Sequence, residues 1–341
     1  MRYALRRAGQ AAIVLIAAFT ATFILLQLLP GDAILIRYDN PELGLTPDQI
    51  AQIRVNYGAD APWWQQYLET LGGYLHGDFG FSTQYGTPVL ELIGQALPPT
   101  IALASVGFVV AVVLAVGIAF LSALSPFAWL RTVLQAVPGV FVSVPVFWLG
   151  ILLIQVFSFG LGWVPIVGAD PVAGLILPVL TLAVPISAPL AQILVRSIDE
   201  VQLQPFVTVI RAKGASDARV LWASVARNAI LPTLTIAGVL FGELIGGAVV
   251  TETVFGRPGI GRLTEQAVAN QDIPVLQGIV VLAALTFIVV NLIVDLLYPV
   301  LDPRLRSGSR RAALAADAPR SGDEASADQD VHGRDRVEAS A

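Results

Sequence analysis

Lys213 is the chain's only lysine, and His76 and His332 are its only histidines. A phosphate-binding loop needs Gly-Lys followed by Ser or Thr, so that backbone N–H groups and the ammonium together cradle the phosphates. Lys213 is followed by Gly214 and Ala215. Any ATP-driven work must therefore use a nucleotide site on another chain, and no cofactor is expected on this one. Without cysteine there is neither a thiolate metal site nor a disulfide framework. His76 has no second histidine near it in sequence to complete a metal pair, and no catalytic role is expected of either histidine. The remaining candidates are polar groups set within long apolar runs. A carboxylate there is expensive, so Glu243 should face a helix-bundle interior or a water-filled path. It is a candidate for lining that path, against the alternative of a structural hydrogen bond or ion pair. Asn291 and Asp295 lie i, i+4 on one face of the last run; Asn291 is a second path candidate, although a structural role serves both. Gln155 and Gln192 suit interhelical hydrogen bonds. Glu252 and Arg257 flank "TVFGRPG" at the exit of an apolar run and read as an elbow or gate.

The elements that must position these groups are membrane helices. Of 341 residues, 55% are hydrophobic and 13% charged, whereas soluble domains are about a quarter charged. Six windows provide the roughly 20 apolar residues a spanning helix needs: 9–29, 100–123, 133–157, 172–195, 233–254 and 275–300. The first follows Arg2, Arg6 and Arg7 but ends in "LQLLPGD" rather than in a cleavage site, so a retained helix is expected rather than a signal peptide. Basic residues set the orientation. With the N-terminus inside, all but four of the 20 Lys and Arg residues fall in cytoplasmic segments. The four are Arg37, Arg54, Arg257 and Arg262. Both termini are thus expected in the cytoplasm. The net charge of −5 conceals this asymmetry.

The segments between the windows differ in character. Residues 30–99 are too long for a structureless external loop. "TPDQIAQIRVNYG" reads as a helix with Thr46 as N-cap, Pro47 in the first turn, Gln49 as the capping-box partner and Gly58 as the stop. "DAPWWQQYLETLGGYL" reads as a second helix, with Trp64, Leu68, Leu71 and Leu75 on one face. Trp63, Trp64 and Tyr67 suit a membrane interface or a packed cap; docking of an external partner is the alternative. "GDFGFSTQYGTPV" is turn-like, and the strand-to-helix context of a phosphate site is missing around it. After Pro303 the chain is charged, poor in large apolar residues and without periodicity, as in a disordered tail. The expected divisions are an N-terminal helix (1–30), an external helical region (31–93), a five-helix core (94–300) and a cytoplasmic tail (301–341).

One polar stretch, "RAKGASDARVLWASVARNAILP", lies between two apolar runs on the cytoplasmic side. "QPFVTVIRAK" is helix-compatible until Gly214. Ser216 then caps a new helix, with Asp217 in the first turn where the macrodipole favours an anion. Leu221, Trp222, Val225, Ala226 and Ala229 follow at helical spacing on one face. Arg219 and Arg227 lie elsewhere, and Pro232 suits the start of the next span. The expected form is helix, glycine elbow, short amphipathic helix, membrane helix. The stretch could simply anchor a connector to anionic lipid, or it could dock a cytoplasmic partner.

This stretch resembles the cytoplasmic-loop signature of ABC importer permeases, and more narrowly that of the peptide/nickel (dipeptide and oligopeptide) permeases. The resemblance extends along the chain except its tail. "GDFGFS" is similar to that family's external motif. "GGAVVTETVFGRPGIGRL" resembles its fifth-span exit, and "DIPVLQGIVVLAALTFIVVNLIVDLLYPVLDPRLR" its last span and ending. The general permease consensus carries Glu-Ala-Ala where this chain has Thr208, Val209 and Ile210, which narrows the likeness to the peptide subgroup. The resemblance implies an all-α polytopic membrane protein of six transmembrane helices with the type I importer permease fold, in a bacterial inner membrane. It implies a homologous second permease, two ATPase subunits or domains and an external solute-binding protein as partners, with membrane lipid around them and no nucleic acid. The stretch Arg211, Ala212, Lys213, Gly214, Ala215, Ser216 and Asp217 would then enter a groove on the ATPase, with Leu221, Trp222 and Val225 as buried contacts and Arg219 and Arg227 at the rim. Glu243 would meet a peptide's amino end, and Glu252 and Arg257 would meet the binding protein. The implied function is uptake of di- or oligopeptides without catalysis by the chain itself. Nickel or another solute, an exporter of similar build, or a membrane-embedded enzyme or receptor-like protein are the alternatives.

Overall fold

The computed structural model describes residues 2–27, 45–56, 61–166, 168, 170 and 172–301. Gly58, the expected helix stop, and the expected tail beyond Leu301 lie outside the described residues. The chain divides into two units, Met1–Val294 and Asp295–Ala341; of the second, only the helical residues up to Leu301 are described.

The first apolar run forms α1 (Arg2–Gln27). Two helices follow, α2 (Pro47–Asn56) and α3 (Trp63–Leu75). The capping box is formed: the Thr46 N–H donates to Gln49 Oε1 at 2.8 Å and the Gln49 N–H to Thr46 Oγ1 at 3.3 Å. Helix α3 is held to α1 by its tyrosines. Tyr67 and Thr20 share a hydrogen bond of 2.9 Å, and the rings of Tyr67 and Tyr74 meet Phe19 edge-on. Of the residues expected at an interface or in a packed cap, Tyr67 packs against α1 while Trp63 and Trp64 stay exposed; on the expected apolar face Leu68 and Leu75 are exposed and Leu71 is half-buried.

The core is built by α4 (Val89–Leu124), α7 (Ala173–Gln202) and α10 (Ala226–Val254). Among the described elements the α4–α7 contact is the most extensive. Small residues allow this closeness. Ala104, Ala183, Ala191 and Ala248 are fully buried, and Leu182 fills a slot between Gly107 of α4 and Gly247 of α10. A Cβ on either glycine would stand 3.0–3.2 Å from its methyl groups. Helix α4, at 36 residues, runs about 54 Å, well beyond the 100–123 window.

The third window departs from expectation. It does not form one straight span but two helices, α5 (Ala128–Ser143) and α6 (Val146–Leu153), the latter continued by a π-helical turn, Ile154–Gly160. The two halves meet at 102°. Pro145 causes the break: it has no N–H to donate and it forces Val144 into extended backbone. The polar stretch gives α8 (Pro205–Ala212) and α9 (Asp217–Val220). A π turn, Leu221–Val225, joins α9 to α10. The connector and the following span are thus one helical run, bent by 55° around Pro232. Helices α11 (Ile260–Ala269) and α12 (Ile273–Leu301) complete the order. Among the described residues four helices are long and apolar enough to cross a membrane, and up to six if each bent pair is one span.

Candidate functional site

Residues 205–225 form a compact elbow. Gly214 has φ +83°, a region costly to any residue with a Cβ. Its N–H donates to the Arg211 carbonyl at 2.9 Å and closes α8. Ser216 then caps α9 as expected, its hydroxyl accepting from the Arg219 N–H at 3.4 Å. Asp217 lies 3.4 Å from Arg211, an exposed pair of small energetic weight. Ala212, Lys213 and Asp217 are exposed, and Ala215 is half-buried.

The apolar face divides in a way helical spacing alone did not reveal. Leu221 and Val225 are buried within the chain, in one cluster with Phe120, Leu194, Ile198 and Val207. They fasten the elbow to α4 and α7, so they are not free to enter a partner's groove. Trp222 is different: its side chain is 61% exposed and its ring lies 4.4 Å from that of Phe120. The surface offered outward is therefore Trp222 and Val209 among Arg211, Lys213, Ser216 and Arg219. A rigid, internally packed base carries it.

At the other end of the core, two buried carboxylates bracket α11. Glu252 is 1% exposed. It accepts from the Thr100 hydroxyl at 2.6 Å and from the Gly261 N–H at 2.7 Å. The Thr100 hydroxyl in turn accepts from the Ile260 N–H at 2.8 Å. A carboxylate thus occupies the helix N-terminus, where free N–H groups and the macrodipole favour it. Gly259 and Gly261 make room, since a Cβ on either would come within 2.2 Å of existing atoms. Beyond the other end of α11, Asp272, also 1% exposed, accepts from the Ser82 hydroxyl. It also accepts from the Thr83 N–H at 3.1 Å and the Gln84 N–H at 3.2 Å. Two N–H groups of the "GDFGFSTQYG" turn are therefore directed at a carboxylate of its own chain.

This burial bears on the expected gate. Glu252 is inside, so a direct contact with an external protein would require it to be uncovered. Arg257 is half-buried and donates to the Gly174 carbonyl at 2.8 Å. It lines a cleft with Asp170, Pro165 and Phe255 and remains the candidate for an external contact. Within the core, Glu243 is exposed and pairs with no described residue. Asn291 donates to the Phe287 carbonyl of its own helix at 2.8 Å. No contact joins Glu243 to Asn291; α10 and α12 meet nearby, where Gly242 faces Phe287. Sequence reasoning missed Thr100 and Asp272. Asp272 stands just before an apolar run, as a cap would, but its partners lie about 190 residues away.

Comparison with known proteins places this geometry. Residues 115–307 match the family described as binding-protein-dependent transport system inner membrane component, and residues 1–104 match the N-terminal part of such components. A putative peptide transport system permease protein of Brucella abortus (strain 2308) is 37% identical, across 89% of this chain and 98% of the relative. The oligopeptide transport system permease protein AppB of Bacillus subtilis (strain 168) is 34% identical across 89% and 98%. The glutathione transport system permease protein GsiC of Escherichia coli (strain K12) is 36% identical across 83% and 92%. Among solved structures, an inward-facing MetNI methionine ABC transporter superposes with a TM-score of 0.53 at 17% identity, across 62% of this chain and 96% of that one.

Proposed function

Since this chain belongs to the family of binding-protein-dependent transport system inner membrane components, as an ABC importer permease, we propose that it is one half of a bacterial inner-membrane importer for short peptides. It crosses the membrane six times with both termini in the cytoplasm. The core of residues 94–300 pairs with a homologous second permease, while residues 1–30 and 31–93 add an outer helix and an external cover. Two ATPase subunits hydrolyse ATP on their own nucleotide sites, an external binding protein delivers the solute, and this chain carries no cofactor.

The observation that best supports this reading is the elbow. A surface of Trp222, Val209, Arg211 and Lys213 stands exposed on a base fixed by Leu221 and Val225. A lipid-anchoring connector would have no use for so firm a base; a lever would. Groove closure on the ATPase would move Trp222 and, through its ring contact with Phe120, the end of α4. Glu243 lines the path and meets the peptide's amino group. The glutathione and oligopeptide relatives support a peptide class of substrate.

The test is reconstitution of the four-part transporter with its binding protein in proteoliposomes. Receptor-dependent, ATP-dependent uptake of di- to pentapeptides is expected. Uptake of nickel or another solute in place of peptides would overturn the substrate assignment and leave the architecture standing.

A further inference from the structure

Helix α3 carries an apolar strip that no described residue covers. Trp64, Leu68 and Leu75 share one face and are each more than half exposed, and Trp63 beside them is exposed as well. Their surroundings decide what meets them. Helix α3 runs antiparallel along the outer half of α1. At its start Gln66 accepts from Gln27 Nε2 at 3.2 Å. One residue on, Tyr67 shares a hydrogen bond with Thr20, and near its end the Tyr74 ring meets Phe19 at 5.2 Å.

Gln27 lies two residues before the end of the apolar window 9–29. Phe19 lies eight residues deeper, about 12 Å at the helical rise. Half the hydrocarbon thickness is about 15 Å. A helix that follows α1 over this stretch therefore lies alongside the outer leaflet instead of above it. The order of residue types along α3 fits that depth. Trp63 and Trp64 stand at the level of Gln27, where indole rings favour the interface. Leu68 and Leu75 stand deeper. Ile16, Ile24 and Leu25 of α1 are likewise exposed, as expected of a helix surrounded by lipid. The polar residues of α3 are elsewhere on its circumference: Gln65, Glu69 and His76 fall about 100° from the strip, with Gln65 Nε2 donating to Glu69 at 2.8 Å.

We propose that α3 is a half-length membrane helix: it enters the outer leaflet beside α1, presents Trp64, Leu68 and Leu75 to lipid acyl chains, and turns its Gln65–Glu69 side away from lipid. The assignment rests on α1 being a span and not on the identity of the solute.

The absence of cysteine makes the test direct. Nitroxide labels are placed singly at Leu68→Cys and Glu69→Cys, with Ile16→Cys as reference. The assembled transporter is studied in nanodiscs of phosphatidylethanolamine and phosphatidylglycerol. Collision with oxygen, which concentrates in lipid, is compared with collision with a water-soluble nickel chelate. At position 68 oxygen is expected to dominate several-fold, as at position 16, and at position 69 the ratio is expected to fall several-fold. Nickel dominance at 68 overturns the proposal in favour of an aqueous or receptor-facing surface. Low collision with both reagents overturns it in favour of a protein cover. Nickel dominance at position 16 removes α1 from the membrane and the proposal with it, a failure distinct from any failure of peptide uptake.

Discussion

Gly261 stands where one methyl group decides whether α11 can rest on Glu252. A Cβ there would lie 2.2 Å from the Val249 backbone and 2.9 Å from Glu252 Oε2. Backbone cannot yield as a side chain can, and overpacking of this kind costs about 1–3 kcal/mol. Gly261→Ala is expected to lower the unfolding midpoint of the assembled transporter. Gly246→Ala, whose new methyl would meet nothing within 4 Å, is expected to leave it unchanged; equal midpoints for the two would count against the clamp. Glu243 invites the opposite kind of prediction. It is exposed and pairs with no described residue, so Glu243→Gln is expected to spare assembly. Uptake of peptides with a free amino terminus is expected to fall relative to their N-acetylated forms. An unchanged preference at normal expression would take Glu243 out of the path.

Among the elements, the elbow carries the sharpest prediction. Gly214→Val would force a β-branched residue to φ +83°, at a cost of order 1–3 kcal/mol, and Trp222→Asp would place an unpaired charge in the proposed ATPase groove. Both sites are exposed and lie outside the apolar core, so complexes are expected to assemble. Receptor-stimulated ATP hydrolysis, measured on the purified complex, is expected to drop towards the basal rate. Full stimulation in both variants would reduce the stretch to a connector. This element also marks how far sequence reading reaches. Ser216 and Gly214 were legible because a cap and a positive φ are local requirements. The inward turn of Leu221 and Val225 was not, since an apolar helix face looks the same whether its own chain or a partner covers it. The 102° break before α6 was signalled by Pro145, but the apolar window ran through it unbroken. The clamps at Glu252 and Asp272 join residues 152 and 190 positions apart, and no spacing rule registers such distances.

For the whole molecule, orientation is the testable quantity. Asn270, after α11, and Leu203, between α7 and α8, are both exposed and belong to opposite ends of the core. With cysteines at these sites, an impermeant thiol reagent on intact cells is expected to label position 270 and spare 203. Permeabilisation is expected to open 203. The reverse pattern would invert the proposed topology.

Helix α11 also sets a limit on recombination between permeases. It is fastened at one end through Glu252 to Thr100 and at the other through Asp272 to Ser82, Thr83 and Gln84. A chimera that transplants residues 252–272 alone would separate each carboxylate from the donors it bonds in this chain. The smallest exchangeable cassette is therefore discontinuous, drawing on the turn before α4, one threonine within α4 and the whole of α11.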